Sequence, residues 1–475
     1  MYGLHWFRRD LRLHENPALD AALRYSAGRV VPLFILDDAI LTHRLTGTAR
    51  LAFLLESLHA LAAALRERGS RLIVRRGDPQ TILTTLARQH TIGIVTWNRD
   101  YTPYARRRDA AVAARLQADG VQLHVASDAL IIEPEAIMSA SGKPYTVYTP
   151  YARAWRAAVG RRAPSAQEPP PFAAIDDTIE TIAIPQLADL GLTLGQGPLP
   201  PGGEAAGLQR LAVFTRPDGP IAGYHRQRDL PALSGTSQLS PYLHLGCVAP
   251  AAALRAAQQA ATNPLADAGA AIWISELAWR DFYYQIMYHF PHVLRRAFRP
   301  QYDALAWENN EDLFAAWCAG RTGYPIVDAA MRQLRNEAWM HNRCRMIVAS
   351  FLCKNLLIDW RWGEHYFMQQ LVDGDRAANN GGWQWAAGTG TDAQPYFRIF
   401  NPTSQGEKFD PQGDYVRRYV PELRSVASRY IHQPWAMPPT EQQRVGVWIG
   451  KEYPLPIVDH GERRRAALEL YRAVR

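Results

Sequence analysis

At 475 residues the chain is too long for one hydrophobic core and should divide into two or three domains. No apolar run approaches the roughly 18 residues of a membrane span, and four cysteines without CxxC spacing argue against a disulfide framework or a structural zinc site. A net charge of +8, in which arginine far outnumbers lysine, favours a polyanionic partner, nucleic acid first, because phosphate contacts release counterions.

The N-terminus, MYGLHWFRRDLRL, lacks the basic-then-apolar order of a secretory signal, so a cytoplasmic protein is expected. Apolar runs at 2–7, 30–36, 71–77, 92–98 and 121–126 read as strands, and 48–68, 79–89 and 104–118 as helices between them. That alternation predicts a parallel sheet wrapped in helices, with any ligand beyond the carboxyl ends of the strands. Asp37, Asp38 and residues 98–104 fall there. Neither GxGxxG nor GxxxxGK[ST] marks a dinucleotide or nucleoside triphosphate site.

From about 128 to 205 the periodicity fades, and Pro-rich pieces at 164–172 and 198–203 read as a connection over the surface. Beyond 205 strand patterns almost vanish. Helices are predicted at 205–214, 249–261, 268–289, 311–319, 325–337, 341–358, 364–372 and 459–473. The predicted organisation is an α/β domain over 1–128, a linker over 129–204 and an all-helical domain over 205–475.

Four constellations stand out in the helical half. Tyr224 and Arg228 precede GTSQLSPYLHLG (235–246), where Thr236, Ser237, Ser240 and successive backbone N–H groups suit either a phosphate cradle or a plain helix cap. In WISELAWRDFYYQI (273–286), Glu276, Trp279, Arg280 and Tyr283 share one helical side. Asn342 and Met346 lie four apart on another helix with Arg345 close by, while Arg343 points elsewhere and could reach a phosphate. The fourth, residues 373–402, interleaves Trp383, Trp385, Tyr396, Phe397 and Phe400 with Asp373, Asp375, Asn379, Asn380 and Asp392. Gly381 and Gly382 permit close approach there. A flat heteroaromatic ligand with polar edges fits this mixture, flavin and nucleobase alike, as does a buried helix with satisfied polar groups.

The stretches TGYPIVDAAMRQL, WMHNRCRM, LIDWRWGEHYFM and DGDRAANNGGWQWAAGTGTDAQPYFRIFNP, with HWFRRDLRLHENPAL at the N-terminus, resemble the signature of the DNA photolyase and cryptochrome family along essentially the whole chain. The resemblance implies a Rossmann-like α/β antenna domain followed by an all-α FAD-binding domain. FAD would lie in a U-shape, its phosphates and ribityl chain held by Tyr224 and by Thr236, Ser237, Gln238, Leu239 and Ser240. Asp373, paired with Arg345, and Asp375 would meet the ribose and isoalloxazine edges. Asn379 would face flavin N5, where a neutral amide suits a reduced anionic flavin better than a carboxylate does.

Glu276, Trp279, Trp385, Asn342 and Met346 resemble the lesion pocket of the branch that repairs cyclobutane pyrimidine dimers by light; the six-four branch has histidines where Asn342 and Met346 stand. UV-damaged DNA is then the partner, and the dimer must be flipped out of the duplex to be reached. Trp279 and Trp385 would pack on its rings, while Glu276 and Asn342 would hydrogen-bond its polar edges. Arg228, Arg280, Arg343, Arg398 and Lys408, together with Trp279, would meet the DNA. Light-excited FADH⁻ would lend an electron to the dimer, and Trp383, Trp360 and Trp307 match the tryptophan chain that photoreduces oxidised flavin. A monomer without an obligate protein partner or membrane is expected.

The implied antenna chromophore is 8-hydroxy-5-deazaflavin or methenyltetrahydrofolate. Folate-binding relatives carry an Asn-Glu pair where Tyr104 and Ala105 stand, and a Cys-Lys pair where Leu294 and Arg295 stand. The sequence therefore leans toward the deazaflavin, with Asp38, Arg50 and Asp100 as candidate contacts, although deazaflavin-binding relatives often have Lys at the position of His244. The alternative function is a cryptochrome-type photoreceptor that signals without repair, against which the intact Glu276, Asn342 and Met346 set argues.

Overall fold

Five short apolar runs pair in parallel, in the order β3-β2-β1-β4-β5, in the computed structural model, which describes residues 1–160, 170–195 and 197–474. They are β1 (Tyr2–Phe7), β2 (Val30–Leu36), β3 (Ile73–Arg76), β4 (Ile92–Asn98) and β5 (Gln122–Ala126). Every residue of β2 is buried, as befits a strand covered on both faces. The strand order reverses between β1 and β4. In open sheets that point forms a crevice beyond the strand ends.

The predicted helices form at Thr48–Glu67, Pro79–Gln89 and Pro103–Ala118. The last two open on side-chain caps, from Asp78 and Thr102, followed by a proline at the first turn. The helix Pro17–Tyr25 was not predicted, although Asn16 caps it by accepting from Leu19 N at 3.2 Å. Thr48–Glu67 is long and apolar enough to cross a membrane by length and composition alone. It is a core helix here, with Leu51, Phe53, Leu55, Leu58, Leu61 and Leu65 buried.

The expected linker holds more than a connection. Tyr148–Val159 is a helix that buries Tyr151, Ala152 and Trp155 against the long helix Asp267–His289. Its signal was present in the spacing of Tyr148, Tyr151, Ala152 and Trp155, but Pro150 interrupts the run. Residues 164–169 of the first Pro-rich piece lie outside the described residues. The second crosses the Thr48–Glu67 helix, where Gly203 N donates to Ser57 Oγ at 3.1 Å.

In the helical half the eight predicted helices form with shifts at their ends. The 341–358 stretch stops at Lys354, before Leu357 turns to a φ of +53°, and the next helix starts early, at Trp360, where Asp359 caps Arg361 N at 2.9 Å. Short helices at Pro220–Gln227, Ser240–Leu245, Pro402–Phe409, Asp414–Tyr419 and Pro439–Val445 were not predicted, because six to eight residues carry little periodicity.

One buried carboxylate joins the 129–204 segment to the long helix. Asp281 Oδ2 accepts from Ile131 N and Ile132 N at 3.0 Å each and from Trp155 Nε1 at 2.9 Å. Burial pushes its carboxyl up to about 6, against the pull of the Arg280 guanidinium. Asp281→Ala strands three interior donors and should cost about 3 kcal/mol in urea denaturation. A loss below about 1 kcal/mol would mean that these donors find other partners.

Candidate functional site

The helix Arg376–Ala387 begins where Asp375 Oδ1 accepts from Ala377 N and Ala378 N, both at 3.0 Å. Ala377, Asn380, Trp383, Gln384, Ala386 and Ala387 are buried, whereas Ala378 and Gly382 are exposed and Trp385 is half-buried. Spacings of four and three place Ala378, Gly382 and Trp385 on one face. Among the described residues, a Cβ added at Gly382 would meet no atom within 4 Å. One added at Gly381 would lie 2.1 Å from Tyr283 Cδ1, so glycine sets the close approach to the long helix. The helix thus turns a small-residue face toward open space.

Asp375 has protein partners on both carboxylate oxygens. Its Oδ2 accepts from Arg9 Nη2 at 2.8 Å and from the Tyr284 hydroxyl, and His244 Nδ1 lies 3.2 Å away. With both oxygens engaged, it caps a helix and ties two domains together. Burial opposes its charge, but His244 and the Arg9 guanidinium outweigh burial and hold the carboxyl well below its ordinary value. Burial and the Arg9 charge press His244 down to about 4, so this imidazole is neutral at pH 7.

Asp373, also buried, accepts from Arg345 Nη2 at 3.0 and 2.8 Å and from Ser240 Oγ at 2.6 Å. Thr236 and Ser237, just before Ser240 in sequence, stay half-exposed. The Gln238 and Leu239 side chains are engaged with other protein groups. Gln238 adopts a φ of +49° and turns its side chain to Arg210 at 2.8 Å, and the Leu239 side chain is fully buried in the core. Tyr224 is buried edge-on to Phe214 at 5.8 Å. Asn379 Nδ2 donates to the Glu364 carbonyl at 3.0 Å, which leaves its amide oxygen unengaged among the described residues. Glu364 is 1% exposed, and burial pushes its carboxyl up to about 7, only partly offset by Arg376.

Glu276, Trp279, Trp385 and Met346 are half-buried and Asn342 is exposed, on helices that pack against Arg376–Ala387 or belong to it. Trp279 lies flat on Tyr148, with ring centroids 3.6 Å apart. Two of the arginines expected at phosphates are paired with carboxylates: Arg228 with Glu276, and Arg343 with Asp229 at 2.8 Å. Arg280 is turned inward, donating to the carbonyls of Ala129 at 2.7 Å and Leu243 at 3.4 Å, which removes it from a backbone-contacting surface. Arg398 and Lys408 are exposed.

Trp383 and Trp360 are buried and Trp307 is half-buried against Tyr471 at 6.1 Å. Trp383 touches the rings of Phe367 at 5.0 Å and Trp317 at 6.1 Å, neither of which the sequence distinguished from ordinary core. Gln384, between the two tryptophans, fastens the loop ahead of it by donating to the Val293 carbonyl at 2.9 Å and accepting from Phe298 N at 2.8 Å.

The three antenna candidates have separate partners. Asp38 pairs with Arg76 at 2.8 Å on the surface, and Asp100 accepts from Tyr101 N at 2.6 Å. Arg50 bridges the two halves, donating to the carbonyl of Met368 at 2.8 Å in the helical half and to that of Leu45 at 2.6 Å in its own. Asp37 instead receives the Tyr104 hydroxyl at 2.6 Å, with Arg108 3.4 Å away.

Open space at Gly382 and the Asn379 oxygen, unengaged among the described residues, suit a flat ring system with polar edges. Comparisons with known proteins agree. A family model for DNA photolyase matches residues 3–171, and one for the FAD binding domain of DNA photolyase matches residues 273–473. The deoxyribodipyrimidine photo-lyase of Agrobacterium fabrum is 42% identical over 484 residues, covering 99% of this chain and 97% of its own. A bacterial class III photolyase from Agrobacterium tumefaciens superposes with a TM-score of 0.92 at 41% identity, over 100% of this chain and 97% of that one. A Synechocystis cryptochrome superposes with a TM-score of 0.91 at 30% identity, over 99% of both chains.

Glu364 gives a pH dependence of definite sign. Its carboxyl titrates at about 7 in the fold against an ordinary 4.5, so the folded state binds more protons between those values and stability falls as pH rises through them. Glu364→Gln should therefore match the parent near pH 4 and exceed it by about 2–3 kcal/mol at pH 8 in urea denaturation. A gap that stays constant over this range would show that Glu364 is not the group responsible.

Proposed function

The chain belongs to the DNA photolyase and cryptochrome family, and from that premise we propose that it is a light-driven lyase acting on cyclobutane pyrimidine dimers in DNA. What supports the reading is the set Glu276, Trp279, Asn342, Met346 and Trp385, all at least partly exposed and all on Arg376–Ala387 or on helices packed against it. Two flat indoles beside a carboxylate, an amide and a thioether suit a compact pair of pyrimidines better than a protein surface.

When bound, reduced FAD would supply light-driven one-electron chemistry for opening the cyclobutane ring. The protein's own work is placement. Arg345 and Ser240 hold the Asp373 carboxylate, and Asn379 offers its amide oxygen to the ring system while its N–H₂ stays on Glu364. Trp279 and Trp385 give the flipped dimer stacking surfaces, and extrusion costs least where the base pair is already damaged. Glu276 and Asn342 hydrogen-bond the pyrimidine edges. Arg228, Arg343, Arg398 and Lys408 are the proposed backbone contacts; Arg280 is not among them. An antenna chromophore, 8-hydroxy-5-deazaflavin or methenyltetrahydrofolate, would sit beyond the ends of β2 and β4 near Asp38 and Asp100. The enzyme would act as a monomer in the cytoplasm.

Illuminating the reduced protein with a dimer-containing oligonucleotide tests the reading. Restored thymines support it; none, with reduced FAD verified, refutes it and leaves the photoreceptor alternative. Glu276→Ala should lower repair yield about tenfold while changing dimer affinity less; equal losses would make Glu276 a binding residue only. Trp383→Phe should stop photoreduction of oxidised FAD yet spare repair by enzyme reduced beforehand. Unimpaired photoreduction would rule Trp383 out of the electron route.

A further inference from the structure

One indole face of Trp279 is already covered. Tyr148 lies on it with planes 7° from parallel and centroids 3.6 Å apart, while Phe282 meets the indole edge-on at 5.6 Å and Tyr283 tilts against it at 5.5 Å. Stacking this close leaves only the opposite face and the outer edge for anything else.

Tyr148 is in turn fixed from several directions. Its hydroxyl bonds the carbonyl and Oγ of Ser275 at 2.8 and 2.6 Å, one turn ahead of Trp279 on the same helix. Its backbone N–H, at the first position of the helix Tyr148–Val159, donates to Asp392 Oδ2 at 3.0 Å. No side chain of that helix's own N-cap residue does this work, so Asp392 caps it from a remote segment. The Thr391 hydroxyl donates to the Thr146 carbonyl beside it. Asp392 adopts a φ of +43°, a conformation that non-glycine residues keep only where neighbours hold them. Thr391 and Asp392 lie in the loop that follows the helix carrying Trp385. One tyrosine therefore bridges the helix of Trp279 and the loop after Trp385.

We propose that Tyr148 is a positioning residue for lesion recognition: it holds Trp279 in one orientation, so that Trp279 and Trp385 bound a slot of fixed width for a rigid, covalently linked pyrimidine pair. The proposal rests on the reading of those two tryptophans as lesion walls. Two unlinked pyrimidines lack the fused geometry that a fixed slot selects. An indole free to turn would widen the slot, and each binding event would then have to immobilise it. Tyr148 supplies that order in advance, from a segment whose sequence reads as a linker.

The test measures dark affinity of the FAD-loaded protein for a dimer-containing oligonucleotide and for its undamaged counterpart. Tyr148→Leu keeps apolar bulk but removes the flat stack, and should lower the ratio of the two affinities about five- to tenfold. FAD content and photoreduction should be unchanged. Tyr148→Phe keeps the ring and should stay within about twofold of the parent. Tyr148→Met serves as the second variant if leucine impairs flavin loading. In a Trp279→Ala background the Tyr148 substitution should cause no further loss, because its effect passes through the indole. An unchanged ratio in the single Tyr148 variant, or a full additional loss in the double variant, overturns the proposal alone. Trp279→Ala that discriminates as well as the parent overturns the lesion-wall reading and this proposal with it.

Discussion

Asp375 is the point on which both halves of the molecule bear. A carboxylate removed from water is costly unless its lone pairs are met, and here they are divided between two tasks. One oxygen starts the helix Arg376–Ala387; the other takes Arg9 from the end of β1 and Tyr284 from the long helix, with His244 of Ser240–Leu245 against it. Removing the carboxylate would leave the Arg9 cation with only the more distant Asp100, at 3.8 Å, and the helix without its cap, so the sheet, the long helix and the Arg376–Ala387 helix would lose their common reference together.

From that fixed start the rest of the site follows from helical period. Residues two apart on an α-helix point about 200° apart, which sends Trp383 into the core and Trp385 toward the open side. Close packing then sharpens the placement. A Cβ at Gly363 would lie 2.0 Å from Trp383 Cη2, and one at Gly381 would lie 2.1 Å from the Tyr283 ring. Glycine at these two positions lets the neighbouring helices press on Trp383 and Tyr283 without a gap.

Elements long enough to show a period were legible in the sequence: the five strands, the crossover helices other than Pro17–Tyr25, and the eight longer helices of the second half. Helices of six to eight residues were not, and neither was Tyr148–Val159, whose apolar spacing is cut by Pro150. Within the site, residue identity proved easier to read than residue partnership. The acids, amides and indoles of residues 373–385 could be singled out from composition, but nothing in the sequence reveals that Asp375 is consumed by Arg9. The same holds for Gln384, whose partners Val293 and Phe298 offer only backbone groups. Arg50 and Arg280 look like any exposed arginine until the fold sets carbonyls in front of them.

That last distinction decides which cations remain for a polyanion. Arg50 and Arg280 donate to backbone carbonyls, and burial draws the Arg50 guanidinium down to about 10 despite the nearby Asp373 charge. Turning either outward would leave acceptors unmet inside the protein. Arg228 and Arg343 differ, because their partners Glu276 and Asp229 have side chains that are 33% and 36% exposed. Pairs open to solvent to this degree are worth about 0–1 kcal/mol, and a carboxylate released from one is rehydrated rather than stranded. A phosphate can therefore compete for these two arginines where it cannot for the others. The proposed DNA face is accordingly narrower than the net charge of +8 suggests: it is built from cations whose present bonds are weak enough to exchange.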